Sequence, residues 1–168
     1  GLAFLPKSFL PFSKKSRNLD ADLNAIDGKT FEFLGMNASS TGFYPLLLQL
    51  LQGNYSEGLT SVYFEKRQNG LAVTFNENDE THVLNVGFTS PETSVINSHG
   101  EFFTVFANGQ FSENEDGIPT LKIDCDFIET PFSRCYKFYF DSENPYAIFT
   151  ETPGNDISRI ASVVTKTA

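Results

Sequence analysis

The stretch "LKIDCDFIETPFSRCYKFYF", Leu121 to Phe140, constrains the fold more tightly than any other part of the chain. Its first half alternates Leu121, Ile123, Cys125 and Phe127 with Lys122, Asp124 and Asp126. Its second half alternates Tyr136, Phe138 and Phe140 with Cys135, Lys137 and Tyr139. A period of two sends successive side chains to opposite faces of a strand, so each half carries one apolar face. The intervening "ETPF" reads as a turn. Pro131 fixes φ, Glu129 and Thr130 are placed to hydrogen-bond turn amides, and Phe132 can fold back to cap one end of the structure. If both apolar faces meet one core, Cys125 points into it and Cys135 away from it, which disfavours a disulfide. The spacing of the two thiols matches no usual zinc arrangement, and Cys125 reads as a small core hydrophobe.

The same texture recurs along the chain. "KTFEFLG", "LTSVYFEKRQNGLAVTF", "THVLNVGF", "EFFTVFA" and "YAIFT" read as strands, with Gln68-Asn69-Gly70 as a tight hairpin turn whose Asn-Gly pair supplies positive φ. The polar clusters "NENDE", "SPETS", "NSHG", "SENEDGIP" and "DSENP" separate them. With 18 Phe, 6 Tyr and no Trp, the core is expected to be aromatic and strand-built. Roughly seven to nine hairpin-linked strands fit an antiparallel sandwich or an up-and-down barrel, and closure removes exposed edges. Helix is confined to the margins. One is predicted from Pro45 to Gln52 with Gly53 as its stop; another in "NDISRIASVVTK", with Ile157, Ile160, Ala161 and Val164 behind an Asn155/Asp156 cap, although Val163, Val164 and Thr165 suit a strand equally. Residues 1–27 show no sustained period and read as a linker or an N-terminal arm, leaving 28–168 as the β domain. A chain that opens on Gly1 without Met is expected to continue upstream.

Several function classes are disfavoured. A formal charge of −9 repels phosphate backbones and anionic membrane surfaces, so no nucleic-acid partner is expected. The longest apolar run, Phe43 to Leu51, is interrupted by Pro45 and Gln49 and is far shorter than the ~20 residues of a membrane span. His82 shares the parity of Leu84, Val86 and Phe88, at the mouth of an apolar face, and His99 falls in a turn; both read as structural, since no Gly-x-Ser-x-Gly elbow accompanies them. The acidic runs lack the spacing of a calcium loop and read as solvated hairpin tips, so neither a metal nor a cofactor is expected. Asp124 and Asp126 alternate on an outward face, a poor place for acid–base work. Asn37 and Asn54 stand in glycosylation-type triplets that have meaning only on a secretory route.

The hairpin from Leu121 to Asp141, with Gly58 to Phe75 and Thr81 to Phe88, resembles the C-terminal lipocalin-like β-barrel domain of bacterial serine hydrolases of the β-lactamase and penicillin-binding family. The resemblance rests on Glu129-Thr130-Pro131-Phe132 followed by a return strand ending in Asp141, and on a Gly58–Phe64 strand of the form G-L-x-S-V-x-F; it spans roughly 27–152. The tryptophans of the family pattern are missing, and Phe111 stands where one of them is expected. The resemblance implies an all-β, up-and-down, lipocalin-like barrel of about eight strands in a bacterial protein. The Ser-x-x-Lys, Tyr-x-Asn and Lys-Thr-Gly elements of hydrolase catalysis are absent, so any catalytic machinery would lie upstream.

The expected function is therefore non-catalytic: an accessory barrel that packs on or orients an upstream hydrolase domain, or mediates homodimerisation. The alternative is a container for a small apolar ligand, since a barrel of ~8 strands is either filled by its own side chains or holds one small molecule. Candidate ligand or interface residues are Phe43, Tyr44, Leu47, Leu50, His82 and Phe132. Leu46, Leu47, Leu50 and Leu51 could alternatively close the barrel floor.

Overall fold

The computed structural model describes residues 17–34, 42–68, 70–154 and 159–167. The protein is an antiparallel up-and-down β-barrel with, among the described residues, two short helices. Helix α1 (Leu19–Ile26) precedes strand β1 (Lys29–Phe33), and α2 (Leu46–Gln52) lies between β1 and β2 (Leu59–Arg67). The wall continues through β3 (Gly70–Glu77), β4 (Thr81–Gly87), β5 (Glu92–Ser98), β6 (Glu101–Glu113), β7 (Pro119–Phe127), β8 (Ser133–Tyr139), β9 (Tyr146–Thr152) and β10 (Ile160–Lys166). All belong to one sheet of ten strands, ordered β4-β3-β2-β1-β10-β9-β8-β7-β6-β5. A direct β4–β6 bridge at Gly87 and Asn108 closes nine of them into a ring, with β5 paired along β6 and turning Ile96 inward. The expected count of about eight strands is thus exceeded.

Closure depends on close approach. A Cβ at Gly109 would come within 2.7 Å of the Phe88 ring, so only glycine lets β4 and β6 meet there. Phe88 stacks on Phe111 over this point, with rings parallel to within 2° at 5.1 Å. Between β4 and β5 the wall is joined by a side chain: the Asn85 backbone N–H donates to Ser94 Oγ at 2.7 Å.

Two expectations, for the second helix and for Gly70, are corrected. The segment expected as a second helix is, over its described part, strand β10; Val163 and Val164 pair with Glu32 and Phe31 of β1 and complete the ring. Residues 155–158, including Ile157 and the supposed cap, lie outside the described residues, as do Asn37 and Asn69. In the β2–β3 hairpin, Gly70 is a strand residue paired with Arg67 rather than a turn residue. The segment read as linker or arm contains α1, started by the Asn18 side chain accepting from Ala21 N–H at 3.1 Å. Leu23 and Ile26 bury their side chains in the core just before β1 begins.

The cysteines follow the register. Asp124 faces Cys135 and Cys125 faces Arg134 across the β7–β8 ladder, so the sulfurs lie on opposite sides of the sheet, and both thiols are free. Burial raises the pKa of Cys125, and burial together with nearby Asp124 raises that of Cys135. The thiolate is the reactive form, so both are expected to resist an aromatic disulfide reagent at mildly alkaline pH, Cys125 more completely than the half-buried Cys135. Denaturation without reductant should release both for titration, and a native protein whose Cys125 reacts at the rate of a free thiol would contradict this placement.

Candidate functional site

The barrel interior is filled along most of its length by rings from its own wall. Phe31 meets Phe64, Phe138 and Phe140 in edge-on packing at 6.0, 5.3 and 4.9 Å. At the other end, where β3, β7 and β9 finish and β4 and β8 begin, the filler comes from the chain between β1 and β2. Phe43 and Tyr44 enter the mouth there and are fully buried. The Phe43 ring sits 4.7 Å from Phe75, 5.5 Å from His82 and 5.8 Å from both Phe127 and Tyr136; Tyr44 stacks on Phe103. Residues 42–58 therefore form a plug, with α2 as its outer layer.

The plug is held by charge as well as by contact. Arg134 is 1% exposed, inside the barrel. Its Nε and Nη2 donate to Glu151 Oε1 at 3.3 and 3.1 Å, and its Nη1 donates to the Gly42 carbonyl at 2.6 Å and, more weakly, to that of Phe43 at 3.4 Å. The Tyr136 hydroxyl donates to the same Phe43 carbonyl, and burial raises its pKa, keeping the phenol protonated as a donor. Glu151 accepts the Leu46 N–H at 2.9 Å, and Glu77 accepts the Phe43 N–H at 2.8 Å and the Ser56 hydroxyl at 2.7 Å. Gln49 bridges the plug internally, donating to the Tyr44 carbonyl and accepting from Ser56 N–H. The backbone groups of the inserted segment thus find partners inside the barrel, as burial requires.

Beside this latch lies a second polar group. His82 Nε2 is 3.6 Å from a carboxylate oxygen of Glu77 and 3.6 Å from one of Glu80, while neither ring nitrogen of His82 has a hydrogen-bond partner among the described residues. Burial lowers the His82 pKa, against the pull of Glu77 and Glu80, and leaves the imidazole neutral. His99 stands in the β5–β6 turn with Nε2 2.5 Å from Asp79, and that hydrogen bond raises its pKa.

Of the candidate residues, Phe43, Tyr44 and His82 converge at the mouth. Leu47 and Leu50 do not: they face outward from α2 with Leu51, and the inward face is Leu48 and Gln49. The mouth is therefore not closed by Leu47, Leu50 and Leu51. Gly53 stops α2 as expected, with φ 62°. Phe132 is buried in the core at the β7–β8 turn. Thr130 there accepts from Phe132 N–H, whereas Glu129 contributes a left-handed φ of 68° in place of the expected amide contact. Sequence reasoning missed Arg134, Glu151 and Glu77, although each continues the inward parity of its strand.

A shallower cleft of about 430 Å³ opens where β10 leaves β9, between Lys29, Phe140, Glu143, Pro145 and Val164. No described helix is long and apolar enough to cross a membrane.

No family model and no curated protein matches the chain. Among solved structures it is similar to a fatty-acid-binding protein from brain tissue of Drosophila melanogaster, at 9% identity and a TM-score of 0.48, covering 82% of this chain and 99% of that one. Nothing about ligand or site transfers at that level of similarity; the barrel is established by its own strand order.

Removing one member of a buried ion pair strands the other, and Arg134→Met is expected to cost about 3–5 kcal/mol in urea unfolding. Combined with Glu151→Leu, the loss should fall short of the sum of the single losses by about 1–3 kcal/mol. Strict additivity would show that the two side chains do not act together.

Proposed function

We propose that this barrel binds a small, largely apolar molecule carrying an acceptor oxygen, and that residues 42–58 occupy the binding space until the ligand replaces them. The supporting observation is that the mouth of the barrel is filled by a loop and not by wall side chains. Withdrawing Phe43 would leave a hollow bounded by Phe75, Phe127 and Tyr136, and would free Arg134 and the Tyr136 hydroxyl from the carbonyls of Gly42 and Phe43. A ligand with an apolar body and an oxygen head would restore both the packing and the hydrogen bonds. Such apolar hollows with a few convergent donors are the usual form of small-molecule sites. Binding, without bond cleavage, is the role.

1-Anilinonaphthalene-8-sulfonate has the required body and head, and its fluorescence reports transfer into an apolar site. Phe43→Ala removes the competing ring and is expected to tighten its one-to-one binding about tenfold, worth ~1.4 kcal/mol, while Arg134→Met weakens it. Near-ultraviolet circular dichroism on each variant separates a site from a loosened core. Absence of stoichiometric binding in both the parent chain and a folded Phe43→Ala protein sinks the proposal.

A second reading has one observation of its own. Leu47, Leu50 and Leu51 expose apolar side chains on the outer face of α2, a surface suited to a neighbouring domain or a second copy. This is the form in which the accessory role survives; attachment to a serine hydrolase rests on the resemblance of "ETPF" and its flanking strands alone. If the chain pairs through this face, sedimentation velocity should show a dimer that Leu47→Glu with Leu50→Glu returns to monomer. A parent chain that stays monomeric at high concentration excludes the self-association.

A further inference from the structure

We propose that Glu77, Glu80 and His82 form a binding site for a divalent transition-metal ion, with Zn2+ the best-suited occupant. The three residues come from one hairpin. Its register sets His82 opposite Phe75, and Glu77 and Glu80 flank the turn, joined by the Glu77 N–H to the Glu80 carbonyl at 2.7 Å. One potential ligand atom from each lies within 4.8 Å of the others. His82 Nε2 is 3.6 Å from both carboxylates. Ligand atoms around a tetrahedral ion with bonds of about 2.1 Å are separated by about 3.4 Å, so the arrangement needs little movement to close on a cation.

A cluster of acids alone would carry no such weight. The deciding feature is His82, which is 2% exposed, with both ring nitrogens unpartnered among the described residues and one of them aimed between two carboxylates. A buried polar group without a partner calls for an occupant, and a neutral imidazole with a free lone pair is a metal ligand. Two carboxylates and one imidazole match the charge of a divalent ion. The set favours a transition ion over Ca2+, which takes six to eight oxygens.

The ligands are also held in place. Glu77 is fixed by Phe43 N–H and Ser56, and Glu80 by the backbone N–H of His99 at 2.7 Å and by Ser98. Hydrogen bonds of this kind set ligand direction in metal sites. Glu80 is partly exposed, so the ion has a way in from the side of His99 and Asp79. The site stands whether or not the barrel takes a ligand, and its test is independent of that reading.

The test uses the full chain, stripped with a chelator and titrated with ZnCl2 by calorimetry, with MgCl2 in parallel. One Zn2+ per chain is expected, with a raised thermal midpoint and no comparable effect of Mg2+. Glu80→Gln and His82→Phe should each weaken Zn2+ at least tenfold. The phenyl ring fits beside Phe43, and Glu80→Gln at the rim keeps the test alive if His82→Phe fails to fold. His99→Gln should keep binding within a fewfold, which separates this site from a surface His99–Asp79 pair. The proposal is overturned by absence of Zn2+ binding, by affinity retained in Glu80→Gln and folded His82→Phe, or by loss confined to His99→Gln.

Discussion

Arg134 places a permanent positive charge inside an aromatic barrel, and the mouth is arranged around that fact. A guanidinium cannot lose its proton, so each of its donors must find an acceptor or leave the protein destabilised. Glu151 supplies the counter-charge but not enough acceptors; the carbonyls of Gly42 and Phe43 supply the others. A buried pair of this kind gives little net stability over apolar residues of the same size. Its consequence is positional: the carbonyls must come to Arg134, and the Phe43 ring then lands in the middle of the barrel. A ring closed by nine strands is wider than one of eight, and the centre it leaves near the mouth is the space that ring takes.

Much of this was written in the parity of single strands. Arg134 precedes Tyr136 and Phe138 by steps of two, Glu151 follows Ala147 and Phe149, Glu77 follows Val73 and Phe75, and His82 precedes Leu84 and Val86. Following apolar letters alone stops the series of Arg134, Glu151 and Glu77 one step short, at the position where the charged group sits, whereas His82 was legible from its parity. The face of Cys125 and Cys135 was legible for the same reason. What no single strand reveals is that these four ends lie together, which follows from the up-and-down order: β3 and β9 finish at the end where β4 and β8 start.

Other features were hidden for physical reasons. The letters of β10 satisfy a helix and a strand alike, and the decision belongs to β1, which needs a second hydrogen-bonded neighbour for the barrel to close. In β5 the inward positions are Ser94, Ile96 and Ser98, too polar to be read as a core face. Their polar side chains have partners: Ser94 Oγ accepts the Asn85 N–H across the β4–β5 seam, and the Ser98 hydroxyl donates to Glu80. Helix α1 has only two turns, so Leu23 and Ile26 leave too short a pattern to register as a period.

The plug is gripped on both sides of one residue. Glu77 holds the Phe43 N–H, and Arg134 with Tyr136 holds its carbonyl. Moving the Phe43 backbone out of the mouth would release both grips, one on each side of its Cα. Breaking only one would leave either a carboxylate or a guanidinium short of partners in a dry interior. If the plug opens as proposed, Glu77 is a point where that opening can be biased. The carboxylate oxygen that takes the Phe43 N–H is also the one 3.6 Å from His82 Nε2. A cation shared by Glu77, Glu80 and His82 would fix the Glu77 rotamer, deny it the freedom to follow the departing chain, and so hold the closed state. The two polar groups at the mouth are thus linked through Phe43, whose N–H is held by Glu77 and whose carbonyl is held by Arg134 and Tyr136.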